Sequence, residues 1–171
     1  MNEIDYGLLI LRVLLGLVMA AHGYAKLFRG GRIPGTAGWF DSIGMRPGLI
    51  NAWLAAATEV AAGLALALGL FTPFAAAGFV SLMFVAAWTV HRGKGFFIVG
   101  DGWEYNLVLA VGAIAVAVTG PGRIGLDTLF FGDPILTGWI GALISAVGGL
   151  AASGALLAIC YRPVRESVTT A

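Results

Sequence analysis

The chain has 171 residues, 59% hydrophobic and only 11% charged, with a mean hydropathy of +0.92, whereas soluble domains carry about 25% charged residues. That composition excludes a soluble domain, and a formal net charge of +1 excludes bulk attraction to nucleic acid. The single cysteine, Cys160, permits neither an internal disulfide nor a Cys-x-x-Cys redox pair.

Crossing a bilayer core takes about 20 apolar residues, with about 17–25 observed. Five windows meet that standard: residues 6–28, 49–71, 73–91, 103–120 and 139–161. They predict an all-α fold, a polytopic membrane helix bundle forming one domain over residues 1–171. Asn2, Glu3 and Asp5 make the N-terminus acidic, without the positive region of a cleaved signal peptide, so the first run is expected to stay in the mature protein.

The first span carries Arg12, Met19, His22 and Lys26 at helical spacing, one side of a helix. Ionisable groups inside a membrane are costly, which makes them functional candidates. In the loop that follows, Trp39, Phe40 and Ile43 recur at helical spacing after Thr36, a candidate N-cap, and predict a short helix in the headgroup zone. The second span holds Glu59, about 15 Å along the helix from Leu49 and near mid-membrane. A carboxylate there needs a cation. Arg12 is the expected partner, in a buried ion pair that either locks two helices or serves proton or ligand exchange. Thr72-Pro73 predicts a tight hairpin into the third span. Ahead of the fourth span, Phe96-Phe97-Ile98-Val99 lies between glycines and is expected to dip back toward the membrane under protein cover. Small residues, among them Ala55 to Ala57, Ala61 to Gly63, Ala75 to Gly78, Gly148, Gly149, Ala152 and Gly154, read as close helix-packing surfaces.

Lys26, Arg29, Arg32, Arg46, Arg92, Lys94, Arg162 and Arg165 fall on one side of such a bundle and Arg123 on the other, with Asp127 and Asp133. The excess of positive charge places the N-terminus outside and the C-terminus in the cytoplasm. His22, Lys26, His91 and Glu104 then share the cytoplasmic third of the membrane and are expected to line one polar pocket, with Tyr24, Trp39 and Trp103 available to stack on a flat ring. Each also has a structural role open to it: His91 as a helix-end cap, Lys26 snorkelling to the interface, Glu104 at a positive helix N-terminus. No His-x-x-His or Glu-x-x-His spacing signals a metal or haem. No phosphate loop or nucleophile elbow is present, and no catalytic residue is assigned.

In order and spacing these features resemble the DoxX family of small bacterial membrane proteins. The matching pieces are Leu11-Arg12, His22-Gly23 with Lys26-Leu27, Gly35-Thr36-Ala37 with Trp39-Phe40, and Glu59 followed by Gly63 and Gly69. His91, Trp103-Glu104-Tyr105 and Gly120-Pro121-Gly122-Arg123 with Leu126-Asp127 continue it, over about residues 7–127. The resemblance implies a four-helix membrane core in the bacterial plasma membrane. It also implies a subunit role in an oxidoreductase assembly, as in the small subunit of a thiosulfate to quinone oxidoreductase, and a link to thiol and oxidative-stress defence. The leading expectation is a membrane subunit whose pocket binds a quinone or similar small molecule, with redox centres on a protein partner. A noncatalytic scaffold and a small-solute or proton pathway are the alternatives. The fifth span, 139–161, departs from the family pattern and is expected to serve association with a partner or a second copy, and the lone cysteine argues against sulfur exchange by the subunit itself.

Overall fold

A computed structural model of the chain describes residues 2–132 and 136–163. Asp133, Pro134 and Arg165, which the sequence reading placed in loops and in the tail, lie outside the described residues. Seven helices order the rest: α1 (Glu3–Phe28), α2 (Arg32–Ser42), α3 (Gly48–Leu68), α4 (Thr72–Lys94), α5 (Glu104–Thr119), α6 (Leu126–Phe131) and α7 (Gly138–Cys160). Four of them, α1, α3, α4 and α7, are long and apolar enough to cross a membrane. The chain is therefore a multi-pass membrane protein with an all-helical core and an additional C-terminal membrane helix. The fourth expected span is shorter than the others: α5 has 16 residues, about 24 Å against a hydrocarbon core of about 30 Å.

The α1/α3 pair is the most extensive contact in the bundle, and glycine lets the two backbones approach. A Cβ on Gly16 would meet the Gly63 carbonyl oxygen at 2.4 Å, and one on Gly23 would meet Val60 and the Ala56 carbonyl within 3 Å. The two helices run antiparallel in a register that sets Gly16 beside Gly63 and Ala67, and Gly23 beside Ala56 and Glu59. Around this seam, Met19, Leu66, Phe79, Leu109, Ala113 and Val116 form the larger of two apolar cores. The smaller gathers Ile33, Phe40, Met45, Ala52, Ala56 and Cys160 beneath α2.

The expected short helix exists but starts earlier. It runs from Arg32 with Pro34 in its first turn, where a missing N–H costs nothing. Thr36 is therefore inside it, its hydroxyl donating back to the Arg32 carbonyl at 2.9 Å. The α3/α4 hairpin turns at Thr72-Pro73 as expected, and its cap comes from a distant residue. Asp127 accepts from the Phe71 N–H at 2.7 Å, the Thr72 N–H at 2.9 Å and the Thr72 hydroxyl at 2.7 Å.

The last helix, α7, expected to serve association with a partner or a second copy, lies along α4 within its own chain. A Cβ on Gly149 would meet Val80 at 2.6 Å and the Ala77 carbonyl at 2.8 Å, so small residues seat this helix just as they seat α1 on α3. Its end is fastened as well. Tyr161 forms an antiparallel bridge with Met45, through the Arg46 N–H to the Cys160 carbonyl at 2.8 Å and the Arg162 N–H to the Gly44 carbonyl at 2.7 Å. The α2–α3 connection is thus clasped to the end of α7.

A cavity around a buried lysine–glutamate pair

Glu59 pairs with Lys26 and not with Arg12: Lys26 Nζ donates to Glu59 Oε1 at 2.6 Å. The α1/α3 register explains why the expected partner was wrong. Glu59 sits level with Gly23, one turn from Lys26, whereas Arg12 is eleven residues further along α1, about 16 Å away. Arg12 is instead level with the end of α3. There its guanidinium, 1% exposed, donates to the Ala67 carbonyl and to the Ile124 carbonyl at 3.1 Å. It binds the last turn of α3 to the segment leading into α6, close to Asp127, so its role is to join helix ends.

The Lys26–Glu59 pair lies on the wall of an open-sided cavity of about 520 Å³ lined by α1, α2, the α2–α3 connection, α3, α4 and α7. That volume falls within the about 300–1,000 Å³ of small-molecule sites. Leu54, Met83, Val85, Leu156 and Ile159 make most of the wall apolar, and Asn51, Thr58, Ser81 and Thr89 add neutral polar groups. Trp39, Phe40 and Met45 close one end. A π turn over Ala87–His91 interrupts α4 and brings Thr89 and Val90 to the wall; such turns are frequent at functional sites.

Two residues that line the cavity each hold a buried polar atom without a hydrogen-bond partner among the described residues, Glu59 Oε2 and Asn51 Oδ1. The two residues are 6% and 3% exposed. Asn51 is held by its Nδ2–H donating to the Pro47 carbonyl at 2.9 Å, which fixes its amide oxygen as the free atom. Buried acceptors left unpaired are uncommon in folded proteins and call for an explanation.

Of the residues expected to contact a ligand, Lys26 and Trp39 line this cavity, whereas His22, Tyr24, His91, Trp103 and Glu104 are not among its lining residues. His22 is exposed and turns toward Tyr105, with ring centroids 6.5 Å apart. Tyr24 packs on Phe28 at 4.9 Å, and Trp103 meets Phe96 edge-on at 4.8 Å. His91 donates through Nδ1 to the Asp101 carbonyl at 2.6 Å, and Glu104 accepts from the Ile98 N–H at 2.9 Å. These two groups brace the loop between α4 and α5, in which Phe97 and Val99 are 67% and 95% exposed. The titratable groups stand out in the sequence, whereas Asn51, Thr58, Ser81 and Thr89 on this wall do not. Two small polar residues in each of two neighbouring spans, α3 and α4, are the signal available for them. No group of three or more His, Cys, Asp or Glu residues suited to a metal occurs among the described residues.

Comparison with known proteins agrees with the architecture. The DoxX family matches residues 7–92. A protein of Bacillus subtilis (strain 168) named "Putative oxidoreductase CatD" is 32% identical over 130 residues, 76% of this chain and 91% of that protein. An uncharacterized protein of Haemophilus influenzae is 29% identical over 83 residues, 48% of this chain and 55% of that protein. No solved structure matches. The family match and the coverage of the Bacillus protein, set on an all-helical membrane bundle, make the chain a member of the DoxX family.

Proposed function

We propose that the protein is a membrane subunit of an oxidoreductase assembly in the bacterial plasma membrane, and that its cavity binds a quinone-type head group. The observation that carries the reading is the Lys26–Glu59 pair on the wall of a cavity of about 520 Å³. Intramembrane charges are retained mainly where they serve ligands or protons. A flat, largely apolar molecule with oxygen at its edge suits such a wall. Trp39 and Phe40 offer ring faces, the Lys26 ammonium donates to a ligand oxygen, and Glu59 exchanges a proton with it. Lys26 belongs to the last turn of α1 and its side chain is 22% exposed, so the pair has a link toward the basic end of the bundle. That end carries Arg29, Arg32, Arg46, Arg92, Lys94 and Arg162 and is assigned to the cytoplasm on its charge. Electrons pass to a redox centre on a partner subunit. The name of the Bacillus protein supports an oxidoreductase setting.

Titration of the purified protein with a short-chain benzoquinone, followed by quenching of tryptophan fluorescence, tests the reading. Saturable quenching is expected, weakened at least tenfold in Lys26→Met. Identical isotherms for wild type and Lys26→Met would remove the cavity from the function.

A further inference from the structure

We propose that the cavity discriminates between redox states of its ligand and holds the dihydroxy, reduced form more tightly than the quinone; this rests on the quinone-type reading above. Hydrogen-bond sign decides the preference. Glu59 Oε1 already accepts from Lys26, and with an ammonium beside it the carboxylate is the matching form, so Glu59 Oε2 is an acceptor. The second unpartnered atom at the wall, Asn51 Oδ1, is an acceptor too, because the Pro47 carbonyl takes the amide N–H of that side chain. Both unsatisfied groups of the cavity therefore call for donors.

A quinone has only acceptor oxygens. It can take a hydrogen bond from Lys26, but it leaves Glu59 Oε2 without a donor and sets a carbonyl oxygen against it. A quinol hydroxyl donates to Oε2 and still presents its own lone pair to the Lys26 ammonium, so one O–H completes both members of the pair. Removing a buried unpaired acceptor that belongs to a charged group is strongly favourable, and sites built around such groups reject ligands that lack the complementary donor. Asn51 lies eight residues from Glu59, about 12 Å along α3, so one ring does not reach both. Glu59 takes the ring hydroxyl. Asn51 gives the same preference for donors to the end of the cavity beneath α2.

The test compares three ligands sharing one ring and one short alkyl chain: the 1,4-dihydroxybenzene under argon, its benzoquinone, and its dimethyl ether. Each is titrated into detergent-purified wild type and Glu59→Gln. In wild type the dihydroxy form is expected to bind at least tenfold more tightly than either other ligand. Glu59→Gln replaces an acceptor with an amide that can also donate, and is expected to bring the ratio of dihydroxy to quinone affinity to one or below. Equal wild-type affinities for all three, or an unchanged ratio in Glu59→Gln, would overturn the discrimination while leaving the cavity as a binding site. Failure of wild type to bind any of them would overturn the site and the discrimination together. The wild-type comparison stands alone if the variant does not fold.

Discussion

Among the described residues Glu59 forms its ion pair with Lys26, and a pair of double-mutant cycles tests that assignment against Arg12. Lys26 Nζ and Glu59 Oε1 are 2.6 Å apart, with side chains 22% and 9% exposed. A charge-assisted hydrogen bond so sheltered contributes about 1.5–3 kcal/mol, less than an isolated Coulomb figure because one partner still meets the interface. The variants Lys26→Met, Glu59→Gln and the double variant are expected to show a coupling free energy in that range. Arg12→Met with Glu59→Gln is expected to couple by less than about 0.5 kcal/mol, because the two groups lie well over 10 Å apart and bond to different elements. Reversible unfolding of the purified protein in mixed micelles, read by tryptophan fluorescence, supplies the four stabilities of each cycle. A Lys26/Glu59 coupling near zero, or an Arg12/Glu59 coupling above 1 kcal/mol, would refute the helix register described above, and with it the placement of the pair on the cavity wall.

Other outcomes follow from the same packing. Asp127→Ala strands two backbone N–H groups and a buried hydroxyl at the α3/α4 turn and should lower unfolding stability by about 2–4 kcal/mol, with Asp127→Asn recovering part of it in the same assay. Gly16→Leu drives a side chain into the Gly63 carbonyl and Ala67 and is expected to abolish folding, whereas Gly7→Ala, in helix with open space around its Cβ position, should raise stability by about 0.5–1 kcal/mol. A chain lacking α7 loses the wall formed by Ala152, Leu156 and Ile159, and calorimetric titration with the quinone probe should show binding weakened more than tenfold. Cys160 is buried at 8% exposure beneath α2, so maleimide labelling should be slow in the native protein and complete within the mixing time after denaturation.

The spans were legible because burial in lipid demands long apolar runs, and that demand is written residue by residue. Their mutual depth was not. Whether Glu59 meets Arg12 or Lys26 depends on sliding α1 along α3 by a few turns, and the slide is fixed by two backbone approaches, Gly16 on Gly63 and Gly23 on Ala56. Glycines are common in this chain, 26 in all, so nothing in the sequence marks those two as the seam. Lys26, Trp39 and Glu59 could be singled out because charge and large rings are conspicuous in an apolar run. His91 and Glu104 were equally conspicuous, yet the loop between α4 and α5 claims them, since its backbone carbonyl at Asp101 and its N–H at Ile98 need partners. Asn51 escaped notice for the opposite reason. One amide in the first turn of a helix looks like a cap, and only the cavity beside it shows that its oxygen has nothing to accept from.

The strand-like pairing of Met45 with Tyr161 ties a connection made early in synthesis to residues made much later. While the ribosome is still working through α4 and α5, the α2–α3 connection has no such tether and the chamber behind it has no α7 wall. The cavity gains its α7 wall only when the final membrane helix inserts, so a stalled or shortened product would present a wider trough to the lipid.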